Sequence, residues 1–379
     1  MNRKSVLVVA MAAAMVTVAR SGHELPVYPS FYPNEIEIST VAPVPAAALL
    51  LEGKLHAYVG EPPRFAGPPP DTVQKVESLG AFLVVRANPA LADEASACAA
   101  VRAVAADIAG RSGEFVFHPY PLTPMHGDFL HHVDLAEAAK ARLLAATADS
   151  AMRELKVRAD SALALSLIRP AWLAPGQEWD VEIVEISAAE LASSSAFAIN
   201  GWLGPPWLKQ GWFHAALLLG PSVAEPAATS RVEAMATRLR ERAYVGLAEQ
   251  IKLERELVTV LVRGCRAVVA GYSLKREYFN AEFSAGIENI GFDSIAGMNS
   301  AIFLRTAKLK DFPWNGWLAL GIAAPPAAAW NPIAGFSDPF GRLMWSAIGD
   351  PVMLPAPNDS SWMLNRASDV DSVPASKTE

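Results

Sequence analysis

The sequence predicts a mixed α/β protein, with an N-terminal βαβ-containing unit and a second unit built on a long helix and its flanking strands. Three observations carry this. Ala81–Arg86 (AFLVVR) is an unbroken apolar run bounded by Gly80 and Asn88-Pro89, the pattern of a buried strand. An Ala-rich helix over Ala92–Ala109, stopped near Gly110, and a strand over Glu114–His118 (EFVFH) follow it. Strand, helix and strand at this spacing are the signature of a parallel or mixed sheet. Farther on, Val232, Met235, Leu239, Ala243, Leu247, Ile251, Leu257 and Leu261 form one helical stripe. It predicts a single helix from Arg231 to Arg263, with Gly264 just past its end and a strand over Cys265–Ala270.

The other elements follow in order. Arg3 and Lys4 precede an uncharged run, Ser5–Ala19, which reads as a secretory signal peptide cut between Arg20 and His23. The run is shorter than the ~20 residues a membrane-spanning helix needs, so an uncleaved anchor is the weaker alternative. His23–Pro43 mixes Pro with Tyr and Phe, and reads as an extended arm whose Glu35–Ile38 can add a strand to a sheet. Leu55–Val59 is a short strand. A helix starts at Asp134, with Glu137 placed as in a capping box, and stops before Pro170. Trp179–Ile186 (WDVEIVEI) alternates as a half-solvated strand. The resulting division is a leader at 1–21, an α/β unit at 22–170, an α+β unit at 171–330 and a wrapped tail at 331–379, disordered beyond about Asn365.

Composition excludes some partners. The net charge is −7 and charged residues make up 19% of the chain, with no basic stripe, so nothing attracts a phosphate backbone and nucleic acid is set aside. The two cysteines, Cys98 and Cys265, can bridge in an oxidising compartment. Because Cys98 lies in an Ala-rich helix, the reading preferred here is a pair of buried free thiols.

Histidine clustering is the sharpest chemical feature. Four of the seven histidines, His118, His126, His131 and His132, fall in HPYPLTPMHGDFLHHVD, beside Met125, Asp128 and Asp134. Imidazole with carboxylate suits zinc or copper, and a thioether adds a preference for soft copper. The expected site is His126, Asp128 and one of His131 or His132, with His118 or Met125 as further ligands. Against it, adjacent histidines do not readily face one way, Asp134 is explained as a cap, and HExxH is absent. A second feature is NGWLGPPWLKQGWFH, in which Trp202, Trp207 and Trp212 either stack on a ligand or plug the core; the plug is the commoner use. A third is the polar-aromatic stretch Gly271–Trp317, whose Glu282, Glu288 and Asp293 are candidate acid–base carboxylates on an otherwise solvated meander.

No GxSxG elbow, phosphate loop or cysteine-nucleophile signature is present. The functional expectation is an exported periplasmic or secreted binding or accessory protein, holding a small ligand or a metal ion (copper or zinc) through the histidine loop, or a protein partner. The alternatives are the solute-binding protein of a transporter and a carboxylate-dependent hydrolase. Whether it is an enzyme is left open.

Overall fold

The computed structural model describes residues 33, 35–111, 113–145, 154–174, 176–193, 206–310, 316–323, 353–355 and 362–364. The expected leader, most of the Pro-rich arm, Trp202 and the tail beyond Asn365 lie outside the described residues. In chain order the elements are β1 (Glu35–Thr40), α1 (Pro43–Leu51), β2 (Ala57–Val59), β3 (Val73–Ala87), α2 (Glu94–Ile108), β4 (Val116–Phe117) and α3 (Val133–Ala145). After them come β5 (Val157–Ala159), α4 (Ala162–Ser166), β6 (Val181–Ser187), α5 (Ala188–Ser193), α6 (Gly211–Leu219), α7 (Pro226–Arg240) and α8 (Gly246–Leu261). The chain continues through β7 (Ala267–Asn280), β8 (Ile287–Glu288), α9 (Ala301–Thr306), β9 (Lys308–Leu309) and β10 (Trp317–Ile322) to the short pair β11 (Met353–Pro355) and β12 (Trp362–Leu364).

The architecture is mixed α/β, with one 8-stranded sheet in the order β1-β10-β2-β7-β3-β6-β5 and β4 also on β7. Its spine is the antiparallel pair β3 and β7, registered from Val73 opposite Asn280 to Arg86 opposite Ala267. The register shifts between Leu79 and Phe82, at Gly80. There the backbones approach so closely that a β-carbon on residue 80 would lie 2.9 Å from the amide nitrogen of Lys275, so only glycine fits. Beyond this irregularity the sheet has two ends. β2, β10 and β1 extend it from the Asn280 end of β7, and β6 and β5 from the Ala81–Ala87 end of β3.

The period of two along β3 sorts its side chains between two cores. Phe82 and Val84 face α6, α7 and α8, in a cluster with Trp212, Phe213, Leu239 and Leu257. Leu83, Val85 and Ala87 face α2 and α4, packing on Val101, Ile108 and Leu167. A third cluster around Val76, Phe279, Met298, Phe303 and Leu320 fills the other end of the sheet. Because β3 pairs with both β6 and β7, the expected boundary near residue 170 falls within one sheet. β3 and β4 both run antiparallel to β7, so the strand–helix–strand unit crosses over one strand.

Four expectations are corrected. The helix expected from Asp134 to Pro170 ends at Ala145, and Val157–Ala159 is a strand parallel to β6. The helix expected from Arg231 to Arg263 is a hairpin of α7 and α8. Arg242 (φ 54°) and Gly246 (φ 73°) adopt left-handed backbone between them, which a continuous helix cannot contain. Trp179–Ile186 is not half-solvated, because Val181 and Ile183 pack into one core and Val184 is buried on the strand's other face. Its Glu182 is buried, and Arg86 and Arg158 each donate to that carboxylate at 2.7 Å. Finally, Cys98 and Cys265 are not free thiols but a disulfide, joining α2 to the segment entering β7 with a Cα–Cα distance of 4.9 Å.

That disulfide closes a loop with a sequence separation of 167. The chain-entropy relation assigns such a loop about 5 kcal/mol, less whatever the native state loses in accommodating it. A Cys98→Ala/Cys265→Ala variant is therefore expected to lose roughly 2–5 kcal/mol of unfolding free energy in urea titration. A loss below ~1 kcal/mol would show that the bridge does not restrain the unfolded chain.

Candidate functional site

The histidine loop leaves β4, crosses the Pro-rich turn and enters a short 3₁₀ turn, Gly127–His131, ahead of α3. Its polar groups point inward, toward α6 and α8. The backbone N–H of Thr123 donates to His126 Nδ1 at 2.9 Å, His126 Nε2 meets His214 Nδ1 at 3.0 Å, and His214 Nε2 meets the Leu208 carbonyl at 2.9 Å. The two ends assign the tautomers. A backbone N–H can only donate and a carbonyl can only accept, so both rings carry their proton on Nε2 and the chain runs Thr123→His126→His214→Leu208. Phe82 of β3 stacks on His126 at 6.0 Å and meets the edge of His214 at 5.8 Å. Burial holds the His126 imidazole well below its usual 6.5, with His214 adding to the effect, and burial lowers His214 to about 4. Both rings are neutral at neutral pH.

Asp128 serves a different purpose. Its two carboxylate oxygens accept from the backbone N–H groups of Gly211 (2.9 Å) and Trp212 (3.0 Å), so it caps α6 from a remote segment. Burial raises its carboxyl above the ordinary range while those two donors oppose the shift. Glu254 of α8 is also buried; burial, and then the charge of Asp128, push it up to about 8. Glu254 is therefore protonated at neutral pH.

The remaining predicted ligands separate. His132 Nδ1 meets the Tyr120 hydroxyl at 2.8 Å, and burial lowers its imidazole to about 4. His118 Nε2 donates to the Leu122 carbonyl at 2.6 Å, its ring edge-on to Tyr272 and Phe129. The carbonyl of His131 accepts from Arg255, which also forms a two-pronged pair with Asp134, both contacts 2.7 Å. Met125 packs against the core. The structure thus brings His126 to His214 and places Asp128 on α6, but it does not gather His118, His126, Asp128, His131 and His132 around one point. Among the described residues, the ligand atoms that come together in a group of three are those of Glu94, Cys98 and Cys265, and both sulfurs are in the disulfide.

The tryptophan segment and the acidic stretch are likewise drawn into structure. Trp212 is 2% exposed and Trp207 packs on Phe213 at 4.9 Å, the arrangement of a plug. Asp293 accepts from the N–H groups of Ile295 and Ala296 and from Lys209 at 2.6 Å. Glu282 accepts from Ser284 and Ala285 in an exposed turn, and Glu288 is exposed on β8. Glu277, fully buried, accepts from the N–H groups of Gly60 (2.9 Å) and Met298 (2.6 Å).

Sequence reasoning missed His214 as the partner of His126, Glu254 beside Asp128, and a set of arginine-bearing clefts around Arg263. One of about 420 Å³ is bordered by Arg102, Arg142 and Arg263, and another of about 410 Å³ by Arg231, Arg263 and Arg266. Arginines spread through the sequence give no local motif to find.

The buried block sets a pH profile. His126 and His214 are depressed, so their contribution is present above pH 6.5 and is lost as pH falls below it. Glu254 is raised, so its contribution is present below 4.5 and is lost as pH rises through about 8. Between about pH 6.5 and 8 Glu254 contributes a fall in stability. Melting temperatures across this window are expected to decline with rising pH in the parent and to decline less steeply in Glu254→Gln. Parallel declines in both proteins would show that Glu254 is ionised.

No family model matches the chain, and no curated protein matches it. Solved structures resemble it at low identity. HbpA2 from Haemophilus parasuis is 12% identical with a TM-score of 0.42, over 70% of this chain and 56% of that one. The oligopeptide-binding protein AppA from Bacillus subtilis, solved with a nonapeptide, is 10% identical with a TM-score of 0.38, over 71% and 59%. NikZ from Campylobacter jejuni, solved with Ni(L-His), is 12% identical with a TM-score of 0.33, over 66% and 56%. The chain spans a little over half the length of these proteins, and likeness of this degree carries no functional argument.

Proposed function

We propose that the protein is an exported, non-catalytic binding protein that captures a small solute outside the cytoplasm, in the manner of a transporter's solute-binding protein. The observation that carries this reading is a division of labour among the described polar residues. The imidazoles of His118, His126 and His214 and the carboxylates of Asp128, Glu277 and Asp293 are committed to hydrogen bonds that hold backbone or each other. The open cleft bordered by Arg102, Arg142 and Arg263 instead combines guanidinium groups with apolar walls, groups that recognise rather than react. A general base needs a free lone pair facing a cleft. His126 and His214 have none, since each ring acceptor already receives a proton donor.

Two further features support export. The first 21 residues have the pattern of a cleaved leader, and the Cys98–Cys265 disulfide belongs to an oxidising compartment. Among the described residues no helix is long and apolar enough to cross a membrane. The geometry favours this reading over a metal holder, because both ring nitrogens of His126 are engaged with protein partners and the other loop histidines do not converge on it.

A thermal-shift screen of sugars, amino acids, peptides, organic acids and divalent metals tests the proposal. At least one organic class should raise the melting temperature in a concentration-dependent manner, with no turnover of the bound molecule. If copper or zinc alone stabilises at stoichiometric amounts, and His126→Ala/His131→Ala/His132→Ala abolishes that effect, the protein is a metal binder and the solute reading fails.

A further inference from the structure

The cleft of about 420 Å³ lies where α2, α3 and the end of α6 meet the segment joining α8 to β7. Arg102, Arg142 and Arg263 line it, with Leu143, Leu219 and Val262 among the apolar residues between them, and its lining contains neither Asp nor Glu. This is unusual for the chain, which carries a net charge of −7 and pairs most of its described arginines with carboxylates. Arg86, Arg158, Arg169, Arg238, Arg255 and Arg276 are all so paired. Arg102 and Arg142 donate Nε only to carbonyls one turn back on their own helices, those of Cys98 and Ala138. None of the three forms an ion pair with a described carboxylate. A helix C-terminus favours a cation, which accounts for Arg142 in the last turn of α3 and Arg263 just beyond α8. It does not account for Arg102 in the middle of α2, nor for all three bordering one cleft. The adjoining cleft of about 410 Å³ shares Arg263 but differs in kind: Glu94 and Glu225 line it, and its Arg266 and Arg231 are paired with Glu94 and Glu256.

Three guanidinium groups without carboxylate partners, set around apolar walls, are complementary to a molecule with an anionic head and a short hydrocarbon body. The volume falls within the range of small-ligand sites. We propose that this cleft binds an amphipathic organic anion, a carboxylate or a phosphate monoester, with the head between the arginines and the body on Leu143, Leu219 and Val262. The site rests on the solute-binding reading and specifies its ligand class. The disulfide beside it fixes the geometry, because Cys265 also lines the cleft and is tied to α2 four residues before Arg102.

The test is isothermal titration of the full mature chain with octanoate, octyl phosphate and octanamide, on the parent and on Arg102→Gln/Arg142→Gln/Arg263→Gln. All three arginines are exposed, so the variant is expected to melt with the parent. The parent should bind one or both anions at least about tenfold more tightly than the amide, and the preference should vanish in the variant. It should also weaken as salt rises from ~0.05 to ~0.5 M. Stronger binding of octyl phosphate assigns the head group to phosphate, and of octanoate to carboxylate; either supports the site. Equal affinity for anion and amide, or no binding of either anion up to ~10 mM, overturns it. Should the variant melt early, the parent's anion-to-amide ratio and its salt dependence decide alone. A solute from the thermal screen that the variant still holds overturns this site and leaves the solute-binding reading standing. A screen in which no solute stabilises the parent removes both.

Discussion

The pairing of β3 with β7 is the contact on which the molecule depends. These two strands are separated by about 200 residues, yet they form the longest ladder in the sheet and every other strand of that sheet is reached through one of them. Loop closure over such a distance costs entropy before the ladder returns anything. The register must therefore be held by side chains on both faces. It is: Phe82 and Val84 engage one core, Leu83 and Val85 the other, and a slip of one residue would exchange the two sets. The disulfide acts on the same problem from outside. It anchors the start of β7 to α2, the helix that follows β3, and so shortens the search for the correct pairing.

On the α6–α8 face of this spine, the buried polar block acts as a strut. α6 enters the core at Gly211 with its first amide groups in an apolar setting, where an unpaired donor is costly. Asp128 satisfies two of them, while the His126–His214 pair bridges the incoming loop to the helix one turn farther on. Each group is neutral or compensated, as a buried network requires. Polarity inside and charge outside thus have different tasks. The inner groups set structure, and the proposed recognition falls to Arg102, Arg142 and Arg263, which form no ion pair with a described carboxylate.

Local pattern was legible in the sequence; long-range pairing was not. The apolar run Ala81–Arg86, the Ala-rich helix after it, the strand at Glu35–Ile38 and the start of β7 follow from periodicity within a few residues. The first half of β3 did not, because Lys75 and Glu77 read as surface until β7 is set beside them. The break between α7 and α8 hid inside a stripe that stays in phase across it, with Gly246 as its one signal. In the candidate site, the density of histidines marked a place where polar groups converge, but their role could not be read. His126 meets His214 from 88 positions away, and Asp128 meets the amides of α6 at a similar distance. Without those partners a histidine cluster reads as a ligand set. The arginine cleft left no trace, since Arg102, Arg142 and Arg263 come from three separate segments.

The central claim is that the histidine block is internal structure, so that binding belongs to the arginine-lined surface. Nitrogen-15 NMR of the imidazole rings addresses it directly. At about pH 5.5, where a free imidazole is mostly protonated, His126 and His214 should both remain neutral, carry the proton on Nε2, and keep their shifts when zinc or copper is added. Protonated rings at that pH, an Nδ1–H tautomer in either residue, or a metal-induced shift of both would contradict the account.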